Sequence, residues 1–268
     1  MPDDCKKFQN LKGRFLVEID MTFALKSIVA AAAFVAAGVA SAASVTVPAG
    51  TVYNGLKFSG SGALTFSADL LGALDTAKVA AVAYSPATAT ITKDTDGFYS
   101  EVTASAPITA LTIDTATSGV LGAATSGGLT MTAAPLKSVS SGGSLTVTDL
   151  NVDLSAKKVY ATVIGGNGVG TLSNFYLFDI GNITGATTVA GPGTYLTSMN
   201  TLSLSTTGFT TFVQAMGLLK LGSSALAGVT DFGTINSTII AAVPEPTTYA
   251  LMGLGLVGMS LVARRRAK

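Results

Sequence analysis

Between Ala43 and Val243 the chain repeats one pattern: short runs rich in Val, Ile, Thr, Leu and Tyr, separated by Gly, Ser, Asn and Asp. "LTFSADLLGAL", "KVAAVAYS", "ATATITK", "GFYSEVTA", "ITALTID", "SLTVTDLNVDL", "KKVYATVI" and "LSNFYLFDI" each read as strands, because β-branched and aromatic residues alternate there with small polar ones. Asp96-Gly97 and Asn167-Gly168 supply hairpin turns, since both pairs tolerate the positive φ such turns need. In "SLTVTDLNVDL" the apolar parity slips between Val147 and Leu150, which predicts a bulge near Asp149. One segment departs from this period. In "TTGFTTFVQAMGLLKLG", Phe209, Phe212, Val213, Met216 and Leu219 follow helical spacing, with Thr207 as N-cap and Gly222 as stop. The expected fold is therefore all-β, a sandwich or barrel-like β domain over residues 43–243 with one short amphipathic helix. A faint echo between "SGSGALTFSADLLGALDTAKVAAV" and "SGGSLTVTDLNVDLSAKKVYATV" raises the prospect of two related halves.

Composition narrows what such a domain can do. The chain has 268 residues, only 12% of them charged, and no His or Trp. Its one Cys, Cys5, precedes the predicted mature start. Without imidazole or thiol, Ser-His-Asp and Cys-His catalysis are excluded, together with the common histidine-ligated metal sites. The 43–243 segment holds seven Lys, no Arg, nine Asp and one Glu, a net charge of −3 that disfavours nucleic acid. Asp94, Asp96 and Glu101 in "KDTDGFYSE" fall short of an EF-hand loop, and Thr171 breaks a dinucleotide-type reading of "GGNGVG". No carboxylate pair stands out for glycoside chemistry. The expectation is a non-enzymatic protein with no catalytic residues, metal or cofactor.

The two ends carry addresses. "MTFALKSIVAAAAFVAAGVASAAS", residues 21–44, has a basic Lys26, an apolar stretch from Ser27 to Val39 and an Ala40-Ser41-Ala42 site for signal peptidase. Residues 21–42 are thus expected to form a signal helix, with cleavage after Ala42 guided by the small Ala40 and Ala42. Residues 1–20 are mixed in charge, without apolar period, and read as a misassigned upstream extension. At the other end, Tyr249 to Ala263 are free of charge and precede Arg264, Arg265 and Arg266. A helix of that length reaches about 22 Å, short for a permanent span, while the arginines hold the tail on the cytoplasmic side.

The order Pro244-Glu245-Pro246, apolar run and arginines resembles the PEP-CTERM sorting signal, here residues 244–268. The resemblance implies a C-terminal transmembrane helix inserted transiently in the inner membrane, recognition by an exosortase, and delivery to the cell surface or extracellular matrix. The expected role is structural, in association with exopolysaccharide or biofilm. "SLTVTDLNVDLSAKKVYATV", followed by "STTGFTTFVQAMG" and "DFGTI", is similar to HtaA-like β-sandwich domains. That similarity implies an alternative, a secreted module binding haem or another small apolar ligand.

Overall fold

The computed structural model describes residues 43–244. In chain order the elements are β1 (Ser44–Pro48), β2 (Val52–Tyr53), β3 (Leu56–Phe66), α1 (Ala68–Thr76), β4 (Val79–Tyr84), β5 (Thr88–Lys93), β6 (Tyr99–Asp114), β7 (Val120–Thr125), β8 (Gly128–Ala133), β9 (Gly143–Asp153), β10 (Lys158–Gly165), β11 (Gly170–Gly185), β12 (Gly193–Leu204), α2 (Thr206–Ala215), α3 (Lys220–Ala227) and β13 (Gly233–Ala242). The described chain is mostly β-sheet with few helices. Among the described residues no helix is long and apolar enough to cross a membrane. The predicted signal helix and the transmembrane helix both lie outside the described residues.

All strand pairs are antiparallel, and the pairing returns on itself. From β6 the circuit runs through β3, β13, β12, β11, β10 and β9, and β7 closes it by pairing with both β9 and β6. Closure removes free edges along this circuit, while β1, β2, β4 and β5 each keep a single ladder partner. β9 changes partner along its length, facing β8 from Gly143 to Thr148 and β7 from Asn151 to Asp153. The change falls at the predicted bulge. Asp149 has φ 52°, and its carboxylate accepts hydrogen bonds from the Gly127 N–H (3.0 Å) and the Thr148 hydroxyl (3.1 Å), so both strands bend together at the corner between β7 and β8.

In the upper part of the circuit β5 continues beside β6 and β4 beside β8, and a side chain bridges the interval between them. The Tyr99 hydroxyl donates to the Val79 carbonyl (2.9 Å) and accepts from the Ala81 N–H (3.2 Å), satisfying two groups on the outer edge of β4. The Asp75 carboxylate of α1 in turn accepts from the Tyr99 N–H.

The helices cover one end of the barrel. α1 follows Phe66, α2 follows Leu204 and α3 leads towards Gly233, which pairs with Phe66. Expectations for these segments are corrected here. "LTFSADLLGAL" is a strand only to Phe66; Ser67 then caps a helix by accepting from the Leu70 N–H (3.1 Å), and Leu70, Leu71 and Leu74 turn into the core. The second segment contains two helices instead of one. Ser205, not Thr207, is its N-cap, accepting from the Gly208 N–H (2.9 Å), and the first helix ends at Ala215, two residues before Gly217, whose φ of 59° L-residues rarely adopt. Gly222 lies inside α3, where a Cβ would come within 2.4 Å of the Val139 carbonyl oxygen, so it serves close approach and not termination. The echoed segments also differ: one forms β3–α1–β4, the other the β9–β10 hairpin.

The core has two parts. Leu145, Val159, Val163, Leu177, Leu202 and Phe212 belong to the larger cluster beneath the helices, and Phe58, Leu111, Ile113 and Ile239 to a smaller one at the opposite end.

Candidate functional site

The sorting-signal residues meet the fold at the end away from the helices. β13 lies in the barrel wall between β12 and β3, and its last residues are held on both edges: Ala241 faces Gly193 and Phe58, and Ala242 faces Lys57. Side chains alternate strictly along it, with Ile235, Ile239 and Ala241 buried and Asn236, Ile240 and Ala242 exposed. Pairing stops at Ala242; Val243 is exposed and Pro244 half-buried. Pro has no N–H with which to extend a ladder, so the first residue of the motif also marks the end of the wall. Glu245, Pro246 and the arginines Arg264, Arg265 and Arg266 lie outside the described residues, as do Ala40 and Ala42.

Ala43 emerges from the same end. Its carbonyl accepts from the Thr115 N–H (2.9 Å) and the Thr115 hydroxyl (2.7 Å), and β1 begins at once, with Ser44 opposite Asp114 at the end of β6. Asp114 itself turns the chain by accepting from the N–H groups of Ala116 (2.8 Å) and Thr117 (3.3 Å). The Ala116 N–H holds the Asp114 carboxyl below its ordinary value, against the opposing effect of burial. Both predicted processing points therefore adjoin one pole of the barrel, and the helices occupy the other.

Two rows of mostly small polar residues cross the outer wall, while Leu196 and Ile240 stand exposed on β12 and β13. One row crosses Thr90, Thr103, Thr65 and Thr234; the next crosses Thr88, Ser105, Ala63, Asn236, Ser198 and Thr184. Asn182 and Asn200 pair beside the second row. Within this array Thr65 and Thr103 share a hydrogen bond (3.1 Å), and the Ser198 hydroxyl contacts the side-chain oxygens of Asn236 (2.8 Å) and Asn200 (3.1 Å). Along these rows hydroxyl and amide side chains face out, whereas the lipid face of a membrane-spanning barrel is apolar.

The remaining sequence candidates are occupied by structural contacts. Asp94 accepts from the N–H groups of Asp96 (3.0 Å) and Phe98 (2.9 Å), closing the β5–β6 turn. Asn167 and Gly168, with φ of 51° and 83°, form the β10–β11 turn as predicted. Sequence reading missed that the Asn167 amide also donates to the Gly142 (3.0 Å) and Ala215 (3.1 Å) carbonyls, satisfying an orphan acceptor at the end of α2. On the outer wall Lys158 sits 3.3 Å from Asp179 and 3.8 Å above the Tyr176 ring, taking the face on which a sugar would stack. Its neighbours Tyr176 and Asp179 raise the Lys158 pKa.

The barrel interior offers little room. Among the described residues three apolar cavities measure about 40 Å³, beside Phe178, Phe212 and Phe232, about 30 Å³, beside Ile108, Met199 and Ile239, and about 30 Å³, beside Leu74, Met131 and Leu226. Small-molecule sites run to about 300–1,000 Å³. None of the three has the size for haem or a comparable ligand.

No curated protein and no solved structure matches the chain significantly. The HtaA-like similarity thus gains no support from these comparisons. Residues 242–266 match the PEP-CTERM protein-sorting motif, which marks an exported protein with a membrane-anchored precursor and an exosortase as its processing partner.

Proposed function

We propose that the protein is a non-enzymatic surface or matrix component, released as a closed β domain among exopolysaccharides after exosortase processing. The observation that carries this reading is the sorting-motif match, which begins on Ala242, the last paired residue of β13. In the precursor the barrel would stand on its exit pole beside the inner membrane, with its helical end directed away. Signal peptidase would release it after Ala42, leaving Ala43 next to its Thr115 contacts.

The chemistry of the outer wall supports the matrix assignment. A face of Ser, Thr and Asn carries no fixed charge to bind counterions, and its hydroxyls and amides exchange hydrogen bonds with water or with a neutral polyhydroxylated polymer. With no Trp in the chain, such contacts would be individually weak and would act in number.

Cell fractionation tests the assignment. In a host with an exosortase the β domain should appear outside the cell without its arginine tail, and in a host lacking the enzyme the intact precursor should stay in the inner membrane. Glu245→Ala should reproduce the enzyme-negative result. Equal release of the Glu245→Ala protein and the wild type would refute recognition through Pro-Glu-Pro.

A further inference from the structure

We propose that Asn54, at the tip of the β2–β3 hairpin, is a site of spontaneous covalent modification: its side-chain amide is lost to attack by the Gly55 nitrogen, with water as the co-reactant. The sequence contains two Asn-Gly pairs, Asn54-Gly55 and Asn167-Gly168. Glycine carries no side chain to keep its nitrogen from the asparagine amide carbon, so both pairs have the composition for this reaction. The fold separates them. Both turns have left-handed backbone, with φ of 50° and 75° at the first and 51° and 83° at the second. At the second, the Asn167 amide donates to the Gly142 (3.0 Å) and Ala215 (3.1 Å) carbonyls, and the Asn167 carbonyl accepts from the Gln214 amide (3.2 Å). A Cβ on Gly143 would come within 2.5 Å of Asn167 Nδ2, so that side chain is also enclosed. Asn54 and Gly55 are exposed, and nothing stands within 4 Å of where a Gly55 Cβ would be. The strand before them, β2, has two residues and one partner strand, with Val52 facing Lys57 and Tyr53 facing Leu56. Such an end opens locally at small cost, and opening lets the Asn54 side chain swing onto the Gly55 nitrogen.

In the first step the Gly55 nitrogen bonds to Cγ of Asn54 and the Cγ–Nδ2 bond breaks. The Gly55 proton leaves with the amide nitrogen as ammonia, and a cyclic imide remains. Water then adds to either imide carbonyl carbon, and the bond from that carbon to the Gly55 nitrogen breaks. One water proton returns to that nitrogen, and the new carboxylic acid releases the other. Nothing is oxidised or reduced. Breaking at Cγ gives aspartate. Breaking at the main-chain carbonyl gives isoaspartate, whose main chain runs through the former side chain and is one carbon longer. A two-residue turn fixes the register of its hairpin, so the longer link no longer holds Tyr53 opposite Leu56. Both side chains pack half-buried on the smaller core cluster, and the modification loosens them from it.

Mass spectrometry tests the proposal, with the full chain purified folded in detergent, held in mildly alkaline buffer and digested at intervals. Asn54 should gain the mass of an NH2-to-OH exchange at least about tenfold faster than Asn167, which must first give up its two donated hydrogen bonds. In urea the two pairs should convert at similar rates, which assigns the difference to the fold. The product at residue 54 should include isoaspartate, which direct hydrolysis of the amide cannot form. A folded-state rate ratio no larger than the ratio in urea overturns the proposal. So does an Asn54 that stays intact in the folded protein while the chain in urea converts, and aspartate without isoaspartate overturns the imide route.

Discussion

Tyr99 closes the part of the barrel wall that strand pairing leaves open, and removing its hydroxyl isolates that contribution. Tyr99→Phe keeps the ring, which is buried and has the Lys93 ammonium 4.3 Å from its centroid. What disappears is one donor and one acceptor, leaving the Val79 carbonyl and the Ala81 N–H without their partner on the outer edge of β4. Each unsatisfied buried backbone group costs about 1–3 kcal/mol. Water reaching the edge strand would relieve part of this, so the expected loss is about 2–4 kcal/mol in total. For a domain of about 200 residues that lowers Tm by roughly 5–15 °C. Urea unfolding of the released domain, followed by far-UV circular dichroism, should show a lower midpoint with unchanged slope. Tyr84→Phe is the control: Tyr84 is exposed on β4, and its change should stay within about 0.5 kcal/mol. A Tyr99→Phe loss no larger than that of the control would refute the bridging role of the hydroxyl.

Gly127→Ala should destabilise the domain by about 2 kcal/mol or more, because Gly127 has φ 84° and a Cβ would lie 2.4 Å from the Ala87 nitrogen; thermal unfolding measures it. Asn167→Ala should cost about 1–2 kcal/mol by urea titration, through loss of two amide hydrogen bonds and of a side chain suited to positive φ. Asp114 has a lowered pKa, so its contribution is present above the ordinary carboxylate value and is lost as pH falls through the lower folded value. Asp114→Asn should therefore flatten the acid limb of a stability–pH curve while leaving the basic limb unchanged.

What was legible in the sequence was whatever depends on neighbours along the chain. Alternation marked β4, β5, β6, β10 and much of β11, and the parity slip in β9 placed the bulge at Asp149. The helix α1 was missed because Leu70, Leu71 and Leu74 form a short apolar run that suits either period, and Ser67 distinguishes them only through its cap. Two helices were read as one because Gly217 reads as an ordinary small residue until its positive φ is known. Closure of the circuit could not be read at all. It depends on β9 exchanging one partner for another, a choice made by the corner at Gly127 and the Asp149 carboxylate. The sorting signal was legible because it is a linear motif; its direct attachment to a wall strand was not, since "INSTIIAA" was not recognised as a strand.

That attachment links the address to folding. β13 is the last strand among the described residues and pairs with β3, Gly233 lying opposite Phe66 across most of the domain's sequence. Contacts of such separation form late, because the loop must close before pairing rewards it. Until β13 enters, β3 and β12 each lack a neighbour, and Phe58 and Met199 lack the cover of Ile239 and Ile235. Export delivers the chain from its N-terminus, so β13 arrives immediately before the motif that governs processing. An unclosed barrel leaves the residues ahead of Pro244 as unpaired strand, whereas a closed one fixes them in the wall up to Ala242. The same residues that complete the wall therefore lead directly into the signal.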